Sequence, residues 1–342
     1  MKALLSGIVK NNFLVVGRVG MDAFPDPPGS SIEEAHTYHV DMGGSSANTA
    51  AGIVKLGGRA SLLTRVSDDA VGRFCQKKLV QYGVGDRYVT PVAGERASEY
   101  RNSIAFYESR VEDHQSVIYR NGAADFQMDV ADVDAVDFSE FGAVVTAGTV
   151  FAAEPSRTAS FHAFEKAKAA GLPVIFDVDY RPYSWASPQV ASDVLSRAGA
   201  MSDMIVGNDE EFGFMAGSMD KGLDMARHLA HTSASLVIYK MGHEGSISIT
   251  KDSETRNGIF KVDALKPTGA GDSFMSGLLA ALADGHDLRA AVQRGSACAA
   301  IVVAKPGCAP AMPYPDELNA FMESRADGML ASLICCCCWK RH

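Results

Sequence analysis

Lys266–Phe274 (KPTGAGDSF) sets three small residues and one carboxylate at the head of an apolar run. Phe274, Leu278, Leu279 and Leu282 recur at helical spacing, so the Gly269-Ala270-Gly271 turn opens a helix and presents its unpaired N–H groups. Those groups, with the positive end of the helix dipole, form an anion cradle suited to phosphate. Asp272 stands beside that cradle, where a carboxylate repels an incoming anion unless it takes up a proton or orients a nucleophile. It is therefore a candidate general base for phosphoryl transfer; the alternative is an acidic first-turn residue favoured by the dipole alone.

A second glycine-rich start, Gly43-Gly44-Ser45-Ser46-Ala47-Asn48, opens a helix that runs to Leu56. Its two glycines permit close backbone approach, and Asn48 both donates and accepts hydrogen bonds toward a polyhydroxy ligand. Asp22 follows the first strand, where open α/β sheets bind ligands. Asn208-Asp209-Glu210-Glu211 follows another strand; Asn208 and Glu211 read either as an ordinary helix cap or as a magnesium site reached through water. Other phosphate motifs fail: Gly52–Arg59 lacks the Lys and Ser/Thr pair of a Walker loop, and Gly17–Gly20 does not complete a dinucleotide fingerprint.

These residues need a frame. Phe13–Gly17 reads as a buried strand, Ala60–Val66 as another, and Ala47–Leu56 and Asp69–Tyr82 as helices closed by glycines. Ala143–Thr146, Pro173–Asp177, Asp203–Val206 and Ser235–Tyr239 are apolar strands alternating with helical stretches, the pattern of a parallel sheet covered on both faces. His36–Val40 and a hairpin of Ser103–Tyr107 with Ser116–Arg120 predict a small sheet outside the main one.

The chain has 342 residues, 47% of them apolar and 21% charged, enough for one large soluble α/β domain or two ordinary ones. A net charge of −9 argues against a nucleic-acid surface and a basic membrane patch. The first ten residues carry too short and interrupted an apolar stretch for a secretory signal, and no run approaches a membrane span. Cys75, Cys298 and Cys308 are scattered, as reduced cytoplasmic thiols would be. Cys335–Cys338 are contiguous in a tail expected to be a disordered extension, because adjacent cysteines make a poor tetrahedral cage.

Taken in order, the Gly43–Asn48, Asn208–Glu211 and Gly269–Asp272 motifs resemble the ribokinase-like (PfkB) family of sugar kinases, over about residues 12 to 324. The resemblance implies a three-layer α/β sandwich with a mainly parallel central sheet and a small β-sheet lid. It implies a kinase domain at 11–326, a lid from about 22–40 and 98–121, and a tail at 327–342. It also implies ATP and magnesium as cofactors, with Asp22, Gly43, Gly44 and Asn48 on the sugar and Asn208 and Glu211 supporting magnesium and phosphate. Gly269, Ala270 and Gly271 would be the anion hole and Asp272 the base. Lys240, Gly242 and Gly245 would line the nucleotide site, with Ala297, Lys305 and Gly307 closing over adenine. The lid would exclude water and support a homodimer.

Arg120, in the 119–125 run, and Arg181, in the 177–185 run, both suit a carboxylate through paired hydrogen bonds. Together the two runs resemble kinases of keto-deoxy sugar acids, which implies phosphorylation of a sugar acid at its terminal hydroxyl. A fructokinase- or ribokinase-type activity, or an inactive sugar-acid-binding regulator on the same fold, stays open. One position departs from the family: many relatives carry Asp where Lys266 stands, near a bound potassium ion. Lys266 is expected to replace that cation; otherwise it is an exposed charge before Pro267.

Overall fold

A computed structural model of the chain describes residues 1–110 and 112–325. Thirteen strands form two sheets among these residues. In chain order they are β1 (Asn12–Val16), β2 (Gly20–Asp26), β3 (Thr37–Gly43), β4 (Arg59–Val66), β5 (Gly85–Pro91), β6 (Ile104–Tyr107), β7 (Ser116–Tyr119), β8 (Ala143–Ala147), β9 (Val174–Asp177), β10 (Met204–Asn208), β11 (Leu236–Lys240), β12 (Ser246–Ile249) and β13 (Glu254–Asn257). The helices that bear on the site are α1 (Ser45–Lys55), α2 (Ser156–Ala169), α3 (Pro188–Ala200), α4 (Asp209–Met215), α5 (Gly222–Thr232), α6 (Ala270–Ala283), α7 (Leu288–Val303) and α8 (Pro315–Glu323).

The large sheet has the order β13-β12-β11-β10-β9-β8-β1-β4-β5. Its strands are parallel from β11 to β5, while β12 and β13 are antiparallel at one edge. Strand β1 shows why both faces are covered. Phe13 and Val15 point into one core with Ile53 of α1 and Leu278 of α6, and Leu14 and Val16 into the other with Phe164 of α2 and Leu195 of α3. The result is helix, sheet, helix in three layers. Helix α6 is buried almost all round, from Ser273 to Leu282, as its apolar sequence requires.

The chain leaves β1 toward β4 on one side and returns through β8 on the other, so the strand order reverses between β1 and β8. The carboxyl ends of strands at such a reversal bound a crevice. Over it lies the second sheet, β3-β2-β6-β7, with β2 and β3 antiparallel and β2 and β6 parallel. Strand β2 lies largely in the 22–40 stretch assigned to the lid without being expected as a strand of its own, and the β12–β13 hairpin is not foreseen at all. No helix among the described residues is long and apolar enough to cross a membrane. The Cys335–Cys338 tail lies outside the described residues.

Candidate active site

The amino end of α6 faces the crevice. Gly269 holds the left-handed φ of 85° that starts the helix, and no side chain caps the turn. The first N–H groups of α6, those of Ala270, Gly271 and Asp272, have no partner within the helix by its geometry, and the first helical bond runs from Ser273 N–H to Gly269 O. Asp272 follows in the same turn. Its Oδ2 accepts a hydrogen bond of 3.0 Å from Asn48 Nδ2, and its carbonyl accepts one of 2.7 Å from Ser276 Oγ. Burial, and then the charge of Asp179, push its carboxyl up to about 6; the Asn48 bond and the guanidinia of Arg181 and Arg18 pull the other way.

The amino end of α1 meets it. The β2–β3 hairpin delivers Asp22 and Gly43 side by side, and a Cβ on Gly43 would fall 1.8 Å from Asp22 Oδ1. Gly44 has a φ of 99°, and a Cβ there would lie 2.5 Å from Arg18 O. Both positions therefore require glycine. Asp22 is 2% exposed, and burial pushes its carboxyl up to about 7. Its Oδ1 has no partner among the described residues.

Strand ends complete the wall. Asp177 closes β9, and burial pushes its carboxyl up to about 7 against the pull of the Lys240 ammonium at the end of β11. Both face Gly271: a Cβ there would stand 3.7 Å from Lys240 Nζ and 3.9 Å from Asp177 Oδ2. Asp179, a non-glycine residue at φ 34°, accepts 2.8 Å from Ser45 Oγ and pairs at 2.8 Å with Arg181 Nη2. A backbone held in that region costs energy and concentrates at sites that constrain it. Asn208 and Glu211 form a reciprocal cap on α4, and Glu211 Oε1 also accepts from Tyr180 N–H at 3.2 Å. Burial raises the Glu211 carboxyl.

Lys266 is not an exposed charge. Its residue is fully buried, and Nζ donates to Thr268 O at 2.7 Å and Val302 O at 3.3 Å, directly before the anion turn. Burial lowers its pKa. Arg120 is also buried; it pairs with Asp125, and its guanidinium lies 4.2 Å over the Phe126 ring. Gly242 and Gly245 shape the turn between β11 and β12, where a Cβ on Gly245 would meet Asn257 O at 2.0 Å. Lys305 is held by Glu317 of α8 and lines a cleft of about 550 Å³ with Lys261, Asp263 and Arg325. None of the lining residues belongs to the α6 turn. Gly307, at φ 76°, lies next to Pro310, and Ala297 is buried within α7.

Arg18, Ser45, Asp177 and Asp179 join this constellation with no individual role assigned from sequence, although Ser45 lies in the Gly43–Asn48 motif and Asp177 and Asp179 in the 177–185 run. The first follows β1 and the last two follow or close β9, so strand-end position at the reversal was the available signal.

An anion cradle with a raised carboxyl beside it, at the switch point of a three-layer sandwich, defines a phosphotransferase site. Residues 10–315 match the pfkB family carbohydrate kinase model. The 5-dehydro-2-deoxygluconokinase of Photobacterium profundum is 36% identical over 319 residues, 91% of this chain and 95% of that one. That of Bacillus anthracis is 35% identical over 320 residues, with 92% and 95% covered. Among solved structures, a PfkB protein from a Polaromonas species superposes with a TM-score of 0.78 at 27% identity, covering 90% of this chain and 99% of that one. A Vibrio cholerae fructokinase bound to fructose, ADP and calcium ion gives 0.78 at 25% identity over 91% and 98%. The chain belongs to the PfkB family and is a carbohydrate kinase.

Proposed function

We propose that this kinase transfers the terminal phosphoryl group of ATP to the terminal hydroxyl of a keto-deoxy sugar acid, 5-dehydro-2-deoxy-D-gluconate, in the cytoplasmic catabolism of myo-inositol. The observation that carries the sugar-acid part is the gathering of Arg18, Arg120 and Arg181 around a crevice that also holds Asp22 and Asp272: each guanidinium acts on the charge of Asp179 beside them. Of the three, Arg18 has no carboxylate in ion-pair contact among the described residues, a charge that a neutral sugar would leave unmet and a sugar acid would pair. The 119–125 and 177–185 runs look most like 5-dehydro-2-deoxygluconokinase, and the curated relatives of that name support the choice.

Asp272 takes the proton of the attacking hydroxyl, held in place by Asn48. The N–H groups at the head of α6 receive the charge of the transferred group, and the Lys240 ammonium facing Gly271 adds to it. Asp22, Gly43, Gly44 and Asn48 hold the sugar. Magnesium would be reached through water by Asn208 and Glu211, whose oxygens are fixed by the α4 cap and keep lone pairs for such waters; when bound, it neutralises phosphate charge. Gly242 and Gly245 shape the nucleotide side, and Gly307 and Lys305 lie at its outer margin. Lys266 stands in for a monovalent cation, its ammonium drawing in the carbonyls of Thr268 and Val302 that an ion would otherwise meet. The β3-β2-β6-β7 sheet closes over the substrate and pairs two copies of the chain; Val117 and Tyr119 on β7, 41% and 64% exposed, support that surface.

An ADP-release assay across 5-dehydro-2-deoxygluconate, 2-dehydro-3-deoxygluconate, fructose and ribose tests the reading. The first substrate is expected to give the highest kcat/KM. Preference for either neutral sugar refutes the sugar-acid reading, preference for the second acid moves the assignment to its kinase, and binding without ADP release indicates a regulator.

A further inference from the structure

We infer that Arg18 is the residue that receives the substrate carboxylate, an inference that rests on the sugar-acid reading and narrows it to one guanidinium. Three arginines border the crevice, Arg18 and Arg120 buried and Arg181 exposed, but two already have a carboxylate. Arg120 is neutralised by Asp125, and Arg181 by Asp179 at 2.8 Å. Arg18 differs. It is 7% exposed, Nη1 donates to the neutral hydroxyl of Ser103 at 2.9 Å, and among the described residues no carboxylate lies within the 4.0 Å of an ion pair.

A guanidinium shut away from water with no carboxylate in ion-pair contact is costly, and the cost is reduced when an anion arrives. The place suits a substrate group. Arg18 follows β1 at the strand reversal, its carbonyl accepts from Ala47 N–H of α1 at 3.3 Å, and its charge acts on Asp22 and Asp272, the groups assigned to the sugar and to the proton. Arg120 Nε, also buried and without a partner among the described residues, offers a further donor. The anion is a carboxylate rather than a phosphate because Asp22, Asp179 and Asp272 share the same field and repel a dianion more strongly than a monoanion. Planar guanidinium and planar carboxylate also match through paired hydrogen bonds.

The test compares kcat/KM for 5-dehydro-2-deoxygluconate with that for its neutral primary amide, in the wild type, Arg18→Gln and Arg18→Lys. Losing one partner of a buried charge pair is expected to lower the acid-to-amide ratio by roughly 100-fold in Arg18→Gln, mostly through KM, with part of it restored in Arg18→Lys. If Arg18→Gln does not fold, as judged by its melting transition, the ratio in Arg18→Lys is read against wild type and is expected to fall about tenfold. Equal losses on acid and amide, or an unchanged ratio, overturn the assignment to Arg18 while leaving the sugar-acid reading in place. A wild-type enzyme that favours the amide or a neutral sugar overturns both. Faster turnover of a sugar phosphate than of the acid, lost in Arg18→Gln, shows that the anion is a phosphate and overturns the carboxylate.

Discussion

Replacing Asp272 by Asn is expected to stop turnover and, at the same time, to stabilise the protein. The folded chain lifts this carboxyl from 3.8 to about 6, chiefly by burial. At 1.36 kcal/mol per pKa unit that is about 3 kcal/mol of penalty on the ionised form, reduced to roughly 1–2 kcal/mol because the side chain keeps some contact with water through the crevice. The sign follows from proton counting. Between pH 4 and 6 the folded state holds a proton that the unfolded state has released, so stability falls as pH rises through that window and the whole deficit is present above it. Asparagine cannot ionise, fits the same space and still offers an oxygen to Asn48 Nδ2. Thermal melts of wild type and Asp272→Asn at pH 8 are expected to differ by roughly 1 to 3 °C in favour of the variant. The gap should close as pH is lowered toward 4. Turnover should fall by about 10²–10⁴, the usual worth of a positioned base. A variant that melts lower than wild type at pH 8, or a gap indifferent to pH, refutes the claim that a buried ionised carboxylate is held there. Turnover within tenfold of wild type refutes its role as base.

The same carboxyl sets the pH profile: kcat/KM measured by ADP release is expected to rise with unit slope to an apparent pKa near 6 and then level off, and a flat profile from pH 5 to 8 would contradict this. Lys266→Met should lose about 100-fold in kcat and recover part of it on adding potassium or ammonium ions, while wild type should work equally in sodium and potassium buffers; strong potassium activation of wild type would remove Lys266 from the cation role. Gly52→Ala forces a Cβ to within 2.3 Å of Ser276 Oγ, which bonds both Thr49 O and Asp272 O. It should cost about 1–3 kcal/mol in a urea melt and lower kcat by displacing α6, whereas a silent substitution would mean that the α1–α6 contact does not position the base.

What was legible from sequence was whatever a local pattern encodes. Phe13–Val16 and the later apolar runs give parallel strands because strands buried on both faces need apolar residues at every position. Gly269 and Gly44 mark helix starts because their positive φ values, 85° and 99°, suit glycine. Strand β13, with the sequence Glu254-Thr255-Arg256-Asn257, escaped notice because an edge strand carries no apolar code. Arg18 escaped for a different reason. Its meaning lies in which carboxylates it lacks: Asp125 goes to Arg120, five positions away, and Asp179 to its near neighbour Arg181, and only the fold brings these satisfied pairs to the crevice that Arg18 borders.

The arrangement of charge around the crevice has a consequence for the empty enzyme. Asp22, Asp177 and Asp272 all have carboxyls lifted by burial, to about 7, 7 and 6, so at neutral pH the unliganded fold carries groups that would rather be protonated or hydrated. Lys240, Arg181 and Arg18 relieve them only in part. On the proposed reading, a substrate hydroxyl that donates to Asp22 and Asp272 provides what water would have provided, and a carboxylate on Arg18 pairs a buried guanidinium that has no carboxylate in ion-pair contact among the described residues. Binding energy is thus concentrated on groups that are poorly satisfied in the free protein, while Asp272 is left with a pKa close enough to neutrality to take a proton and give it up again in each cycle.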